Sequence, residues 1–138
     1  MIIKHILLSP LRIFFFKIFC PVYKRRLAEH VVSLCEDNFR ILDFGCDDGT
    51  TAKMIMALNP SLKIAGVDIQ SDRQSKIPRK TYDGKKLPFP DDSFDIVLAI
   101  DVLHHTGDIL PLLEEMKRVS KKILLLKNKF IMVFSLNI

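Results

Sequence analysis

One segment limits the fold more strongly than any other feature of this sequence. It contains a predicted strand, a glycine turn, a helix and a second strand, in that order. Residues 41–44 predict a short buried strand, and residues 64–67 predict another. Between them, residues 45–49 predict a tight turn, and Thr50 or Thr51 is placed to cap a helix. Strand, helix and strand in this order give parallel strands with a right-handed crossover. The sequence therefore predicts an α/β fold.

The carboxyl ends of these two strands are the expected position of a ligand, because ligands of open parallel sheets bind there. Asp68 directly follows the second strand, at the separation from Gly45 that suits a carboxylate accepting hydrogen bonds from ribose hydroxyls. Glycine at positions 45 and 49 lets the backbone approach a ligand closely. A site for a ribose-containing ligand is therefore predicted at this edge.

The acidic turn argues against a diphosphate as that ligand. A dinucleotide fingerprint starting at Gly45 requires glycine at positions 47 and 50, where the sequence has aspartate and threonine. Asp47 and Asp48 would repel a pyrophosphate, since like charges repel. The Gly-Lys-Ser/Thr ending of a Walker-type phosphate loop is also missing from this segment. A cationic ligand fits the turn far better.

Four further elements are predicted downstream, three of them from the pattern of apolar residues. These three are a nearly all-apolar fourth strand at 94–100, an amphipathic helix at 110–119 and a fifth strand at 123–126, and a short third strand at 81–83 precedes them. Asp101 ends the fourth strand at the same sheet edge as Asp68, and His104 and His105 follow it. Adjacent histidines on a helix point in different directions and match no zinc spacing, so no metal is expected.

The residues of the glycine turn carry a family resemblance. Ile-Leu-Asp-Phe-Gly-Cys-Asp-Asp-Gly at positions 41–49 resembles the first motif of class I S-adenosylmethionine-dependent methyltransferases, in which an acidic residue precedes G-x-G-x-G. Residues 82–105 resemble later motifs of the same family, in the subset with small-molecule and lipid-like acceptors. The resemblance covers residues 41–126. It departs from the family where aspartate replaces the middle glycine and where residues 120–122 replace a glycine turn.

This resemblance implies a Rossmann-like three-layer sandwich with a mostly parallel sheet of about five strands, preceded by N-terminal helices. It implies S-adenosyl-L-methionine as the cofactor and methyl transfer to a small-molecule or lipid-like acceptor. It places Asp101 near the methionine portion of the cofactor, Asp83 or Gly84 at the adenine, and His105 at the acceptor as a general base or contact, with a packing role left open. The implied cofactor-binding residues are Asp43, Gly45, Cys46, Asp47, Gly49, Asp68, Ile69, Asp83, Gly84 and Asp101.

Composition limits the class of protein and its partners. The 138 residues carry 21 lysines and arginines against 16 acidic residues, a formal charge of +5, and 49% are hydrophobic, which suits a single folded domain. The positive charge is spread along the chain without a basic tail, so nucleic acid is not the expected partner. Three cysteines without C-x-x-C spacing argue against a disulfide framework, and a cytoplasmic protein is expected.

The first 36 residues are expected to form a helical segment ahead of a cofactor-binding domain at residues 37–127. Basic residues interrupt their apolar runs, which are too short for a transmembrane helix or a signal peptide. Two interpretations stay open for this segment. Its helices cover the domain or the mouth of its site, or residues 1–26, where phenylalanines adjoin basic residues, make a peripheral membrane contact.

Residues 128–138 are expected to form an apolar tail in place of the family's usual C-terminal part. We expect the tail either to add one strand or to reflect truncation or a shifted reading frame, and an open sheet edge in either case would favour homodimerisation or aggregation. Two alternative functions also stay open. One is a cofactor-binding fragment without turnover, and the other is a membrane-surface or nucleic-acid binding module.

Overall fold

A six-stranded sheet with helices on both faces forms the fold. The structure is a computed structural model that describes residues 20–69, 74–102, 107–127 and 130–135. In chain order its elements are α1 (Cys20–Ser33), β1 (Arg40–Phe44), α2 (Thr50–Leu58), β2 (Lys63–Asp68), β3 (Arg79–Thr81), β4 (Phe94–Ile100), α3 (Leu110–Val119), β5 (Ser120–Lys127) and β6 (Phe130–Ser135).

The sheet order is β3-β2-β1-β4-β5-β6. Strands β1 to β5 are parallel, and β6 pairs antiparallel with β5. The chain builds outward from β1 through β2 to β3 and then crosses to β4 on the other side of β1. The switch point of the topology therefore lies between the carboxyl ends of β1 and β4, where ligands of such sheets bind.

Strand residues alternate between two apolar cores, one on each face of the sheet. Helices α1 and α2 cover the first core, and α3 covers the second. The first core contains Ala28, Val31, Ile41, Ala52, Ile55, Ile64, Ile96 and Leu98. The second contains Leu42, Phe44, Val67, Val97, Leu112, Met116 and Val119. This three-layer arrangement confirms the predicted Rossmann-like fold, and α1 shares its core with the sheet.

The apolar strands and the amphipathic helix have the predicted positions. Strand β4 and helix α3 have the predicted bounds, and β1, β2 and β5 include the predicted residues with short extensions. The tail adds strand β6, which is one of the two outcomes expected for it. Ser120 joins α3 directly to β5, and its hydroxyl lies 2.8 Å from the Met116 carbonyl oxygen. A glycine turn is therefore not needed at this junction.

Two local predictions were wrong. The third strand covers Arg79–Thr81, not 81–83, because the register places Arg79 opposite Gly66 and Thr81 opposite Asp68. Asp83 consequently lies beyond the strand. Neither Thr50 nor Thr51 caps α2, because Gly49 is the N-cap and makes no side-chain capping bond.

Helix α1 begins at Cys20, so Pro21 lies in its first turn, where proline is tolerated. The part of the predicted N-terminal segment before residue 20 lies outside the described residues, as does most of the segment considered for membrane contact. Across the described residues, no helix combines the length and the apolar character that a membrane span requires.

Candidate functional site

The turn after β1 depends on left-handed backbone at three positions. Gly45, Asp47 and Gly49 have φ angles of +70°, +49° and +76°. A Cβ atom at Gly45 would collide with the Val102 side chain, and one at Gly49 would lie 2.8 Å from Ile77 Cγ1. Aspartate tolerates this region better than most residues do. Asp47 therefore adopts the backbone conformation that favours glycine at the middle position of the motif.

Hydrogen bonds to the neighbouring strands hold this turn in place. The Gly45 amide donates to the Val67 carbonyl oxygen at 2.8 Å. The Asp47 amide donates to Asp68 Oδ2 at 2.9 Å, and the Arg79 guanidinium donates to the Asp47 carbonyl oxygen at 3.0 Å. The Asp68 carboxylate thus lies at the turn, as the sequence predicted, but it also supports the backbone there.

Asp48 occupies the amino end of α2. Its carboxylate accepts hydrogen bonds from the Thr50 amide at 3.0 Å and the Thr50 hydroxyl at 2.8 Å. The Lys76 ammonium lies 2.6 Å from Asp48 Oδ2. The hydrogen bond from Lys76, more than those from Thr50, holds the pKa of Asp48 well below its usual range. This carboxylate satisfies the helix end that a threonine cap was expected to satisfy.

A cavity of about 200 Å³ opens beside the turn, and we call it the acidic cavity. Its wall combines the turn, the carboxyl ends of β1 and β4, and helices α1 and α2. The lining residues are Tyr23, Lys24, Leu27, Asp43, Gly45, Cys46, Asp47, Asp48, Thr50, Thr51, Ile100 and Asp101. The cavity therefore lies at the switch point of the sheet, where ligands of such sheets bind.

Two aspartates from the neighbouring strands β1 and β4 line this cavity in different surroundings. Asp43 is only 4% exposed, and burial, followed by repulsion from Asp68, raises its pKa to about 7. Asp101 has a positive φ of 48°, and its Oδ2 atom accepts a hydrogen bond of 3.3 Å from the Tyr23 hydroxyl. Burial and the Asp101 carboxylate raise the pKa of Tyr23. The phenol therefore stays a donor at neutral pH.

Cys46 lines the cavity as a protonated thiol. Burial first, then the charges of Asp43 and Asp68, raises its pKa to about 12. A thiolate is the nucleophilic form of cysteine, so this residue is not placed for nucleophilic catalysis.

The structure brings together part of the predicted site. Asp43, Gly45, Cys46, Asp47 and Asp101 line the acidic cavity, Asp68 adjoins it through the Asp47 amide, and Gly49 is the N-cap of α2. Ile69, Asp83 and Gly84 are exposed and are not among the lining residues.

Asp83 forms a local turn. Its carboxylate accepts hydrogen bonds from the amides of Lys86 and Lys85, which lower its pKa. His104 and His105 lie outside the described residues. Within the described part of the chain, no group of three or more metal-ligating side chains occurs.

Sequence reasoning missed the contribution of α1 to this cavity. The helical segment expected over the first 36 residues includes Tyr23 and Leu27, but its sequence does not indicate which surface this helix contacts. Nothing in the sequence indicated that Lys24 lines the cavity. Of the expected N-terminal segment, the described helix α1 contributes Tyr23, Lys24 and Leu27 to the wall of the cavity.

Comparison with known proteins adds a family match to this geometry. A family model described as a methyltransferase domain matches residues 42–123. The malonyl-[acyl-carrier protein] O-methyltransferase of Legionella pneumophila is 31% identical in an alignment of 104 residues that covers 68% of this chain and 37% of that protein. The 27-O-demethylrifamycin SV methyltransferase of Amycolatopsis mediterranei is 30% identical over 93 residues, covering 58% of this chain and 34% of that one.

Solved structures show the same likeness. The YcgJ protein of Bacillus subtilis superposes with a TM-score of 0.60 at 27% identity, covering 71% of this chain and 48% of that one. The chain spans little more than a third of the length of the two curated relatives, 37% and 34%.

Proposed function

This chain belongs to the methyltransferase-domain family, and we propose that it transfers a methyl group from S-adenosylmethionine to a small-molecule or lipid-like acceptor. One observation carries the proposal. The acidic cavity lies at the switch point of a Rossmann-like sheet, and four aspartates, Asp43, Asp47, Asp48 and Asp101, are among the residues that line it. Such a lining attracts a cation and repels a diphosphate.

The chemistry of the lining fits the cofactor of this family. S-adenosylmethionine carries a cationic sulfonium and an ammonium group, and both are complementary to carboxylates. We propose that Asp43 and Asp101 contact this charged end, because both line the cavity. Asp43 is the last residue but one of β1, and Asp101 directly follows the neighbouring β4. Asp68, at the end of β2, is placed to accept hydrogen bonds from the ribose hydroxyls. Asp68 Oδ2 already holds the Asp47 amide, so ribose binding and turn geometry are coupled.

Bound S-adenosylmethionine supplies an activated methyl group with a good leaving group. The protein therefore has to hold the acceptor in line with the methyl carbon and exclude water. Tyr23 and Leu27 of α1 cover one side of the cavity and contribute to that exclusion. His105 is proposed as the base for an OH or NH acceptor, a role that a soft nucleophile would not require.

The names of the two curated relatives support the class of acceptor, because they specify methylation of malonyl-[acyl-carrier protein] and of 27-O-demethylrifamycin SV. The described chain also exposes the apolar side chains of Val22, Ile109 and Leu110, which are available to an acceptor with an apolar body.

Calorimetric titration with S-adenosylmethionine and S-adenosylhomocysteine tests the cofactor site. We expect binding to the wild type and at least a tenfold loss in Asp68→Ala, which removes a carboxylate that accepts charge-assisted hydrogen bonds. Glu114→Gln, an exposed substitution on α3, is the matched control and should bind like the wild type. Failure of the wild type to bind either compound would refute the proposal.

A transfer assay then separates an enzyme from a binding fragment without turnover. The wild type is incubated with methyl-labelled S-adenosylmethionine and with malonyl-acyl-carrier protein, hydroxylated small molecules, or lipid and quinone extracts. Labelled product that depends on the chain supports the proposal. Binding without labelled product in any of these mixtures would favour the binding fragment.

A further inference from the structure

Lys24 has an unusual position for a lysine. On α1 it is followed at i+3, i+4 and i+7 by Leu27, Ala28 and Val31, and the last two are buried in the core between α1 and the sheet. Lys24 is half-buried and lines the acidic cavity. Lysine is rarely placed on the packed face of a helix without an anionic partner. The position therefore requires an explanation.

No side chain of the described residues provides that partner. The structure records no ion pair for Lys24 within the part of the chain that it describes. Asp48 is paired with Lys76, and Asp101 accepts the Tyr23 hydroxyl. Among the described side chains that line the cavity, Lys24 is the one cation.

The proposed cofactor would bring an anion into this cavity. Its amino-acid end carries a carboxylate as well as an ammonium, and that carboxylate would be repelled by the surrounding aspartates. The amino end of α2 could have held it, but Asp48 already accepts the Thr50 amide there. Lys24 is the remaining described group of the cavity wall that can bind this carboxylate.

We propose that the Lys24 ammonium binds the carboxylate of the amino-acid end of the cofactor, so that α1 completes the cofactor site. This inference rests on the proposed function, because it assigns one more residue to the same ligand. The hydrogen bond from Tyr23 to Asp101 and the packing of Leu27 hold α1 against the cavity and keep Lys24 in position.

A comparison of three ligands tests this role by calorimetry. S-adenosylhomocysteine has the amino-acid end, whereas methylthioadenosine keeps the nucleoside and thioether but lacks that end. Lys24→Met should weaken binding of S-adenosylhomocysteine about 10- to 100-fold, as expected for a lost charge-assisted hydrogen bond, and leave methylthioadenosine within about threefold. Lys24→Arg should restore most of the affinity.

Arg26→Met is the matched control, because it removes one exposed charge from the same helix. The third ligand, S-adenosylmethionine, separates a contact from a general field effect. If Lys24 only offset the negative charge of the cavity, Lys24→Met would bind this cationic ligand more tightly than the wild type does, and the proposal would be overturned. A carboxylate contact predicts weaker binding instead.

Two further outcomes distinguish the role of Lys24 from the proposed function. Equal affinity of the wild type and Lys24→Met for S-adenosylhomocysteine would overturn the role of Lys24 and leave the proposed function intact. Failure of the wild type to bind any of the three ligands would overturn both. Circular dichroism of each variant establishes that it is folded.

Discussion

The aspartates of the site differ in how their charge is accommodated, although they lie within one small region. Asp48 forms an ion pair with Lys76. Asp101 accepts a hydrogen bond from the Tyr23 hydroxyl, and Asp68 accepts one from the Asp47 amide. Asp43 is the most buried of them, and no lysine or arginine is among the influences on its pKa. The energetic cost of an acidic cavity is therefore concentrated at Asp43.

The raised pKa of Asp43 makes stability depend on pH. In the unfolded chain an aspartate titrates near pH 4, whereas Asp43 in the folded chain titrates at about 7. Between these values the folded state binds more protons, so the free energy of unfolding falls as pH rises through this window. We expect the ligand-free wild type to lose about 2–3 kcal/mol through Asp43 between pH 5 and pH 8.

The variant Asp43→Asn lacks the titrating carboxyl group. Between pH 5 and pH 8 its free energy of unfolding should therefore fall by about 2–3 kcal/mol less than that of the wild type. The measurement is the free energy of unfolding from urea denaturation of both proteins at the two pH values. Asp48, Asp95 and Glu115, whose pKa values are lowered, titrate below this interval and affect both proteins alike. Parallel loss of stability in the two proteins would contradict the assignment.

One arginine joins the segment between β3 and β4 to α3. Arg118 donates to Glu115 at 2.7 and 2.9 Å, to Asp91 Oδ1 at 2.8 Å, and to the carbonyl oxygens of Phe89 and Leu87 at 2.9 and 3.1 Å. Glu115 in turn accepts the Leu87 amide at 2.8 Å. This network fixes the loop that leads into β4 and so supports the second core.

Arg118→Met should lower the free energy of unfolding by about 2–3 kcal/mol, because two loop carbonyls and the Glu115 carboxylate lose a charged donor. Lys117→Met, the exposed neighbour on α3, should change stability by less than about 0.5 kcal/mol. Chemical denaturation measures both values. Trypsin should also cleave at Lys85 or Lys86 faster in Arg118→Met, and equal stability of the two variants would refute the role of this network.

Elements with strong apolar patterns were predictable, and those with weak patterns were not. The nearly all-apolar β4 and the amphipathic α3 have the predicted bounds. Strand β3 was displaced by two residues, because its charged, partly exposed residues carry no apolar signal and its register is set by pairing with β2. The cap of α2 was missed because Asp48 acts from the preceding turn.

Contacts between residues far apart in the chain complete the site. The turn from Gly45 to Gly49 and Asp68 could be predicted, since they belong to one local unit. The Tyr23–Asp101 contact joins residues 78 positions apart and could not, because helical spacing predicts a face but not its partner. For the same reason, the position of Lys24 in the wall of the cavity could not be predicted from the sequence.

The two edges of the sheet differ in a way that predicts association. Strand β3 is short and carries Arg79 and Lys80, which discourage edge pairing. Strand β6 has six residues, Phe-Ile-Met-Val-Phe-Ser, without charge, proline or glycine, and it forms the opposite edge of the described sheet. An uncharged strand of this length at an edge is a template for pairing with another chain. Association of this chain should therefore run through β6.

Light scattering coupled to size exclusion should show that the average mass of this chain rises with concentration. Along an edge strand, alternate amides point to the neighbouring strand or outward. Of the adjacent substitutions Met132→Pro and Val133→Pro, one should therefore remove an outward amide and give a folded monomer. The other should remove a hydrogen bond to β5 and lower stability. A wild type that stays monomeric at every concentration, or proline variants that associate like the wild type, would exclude pairing through β6.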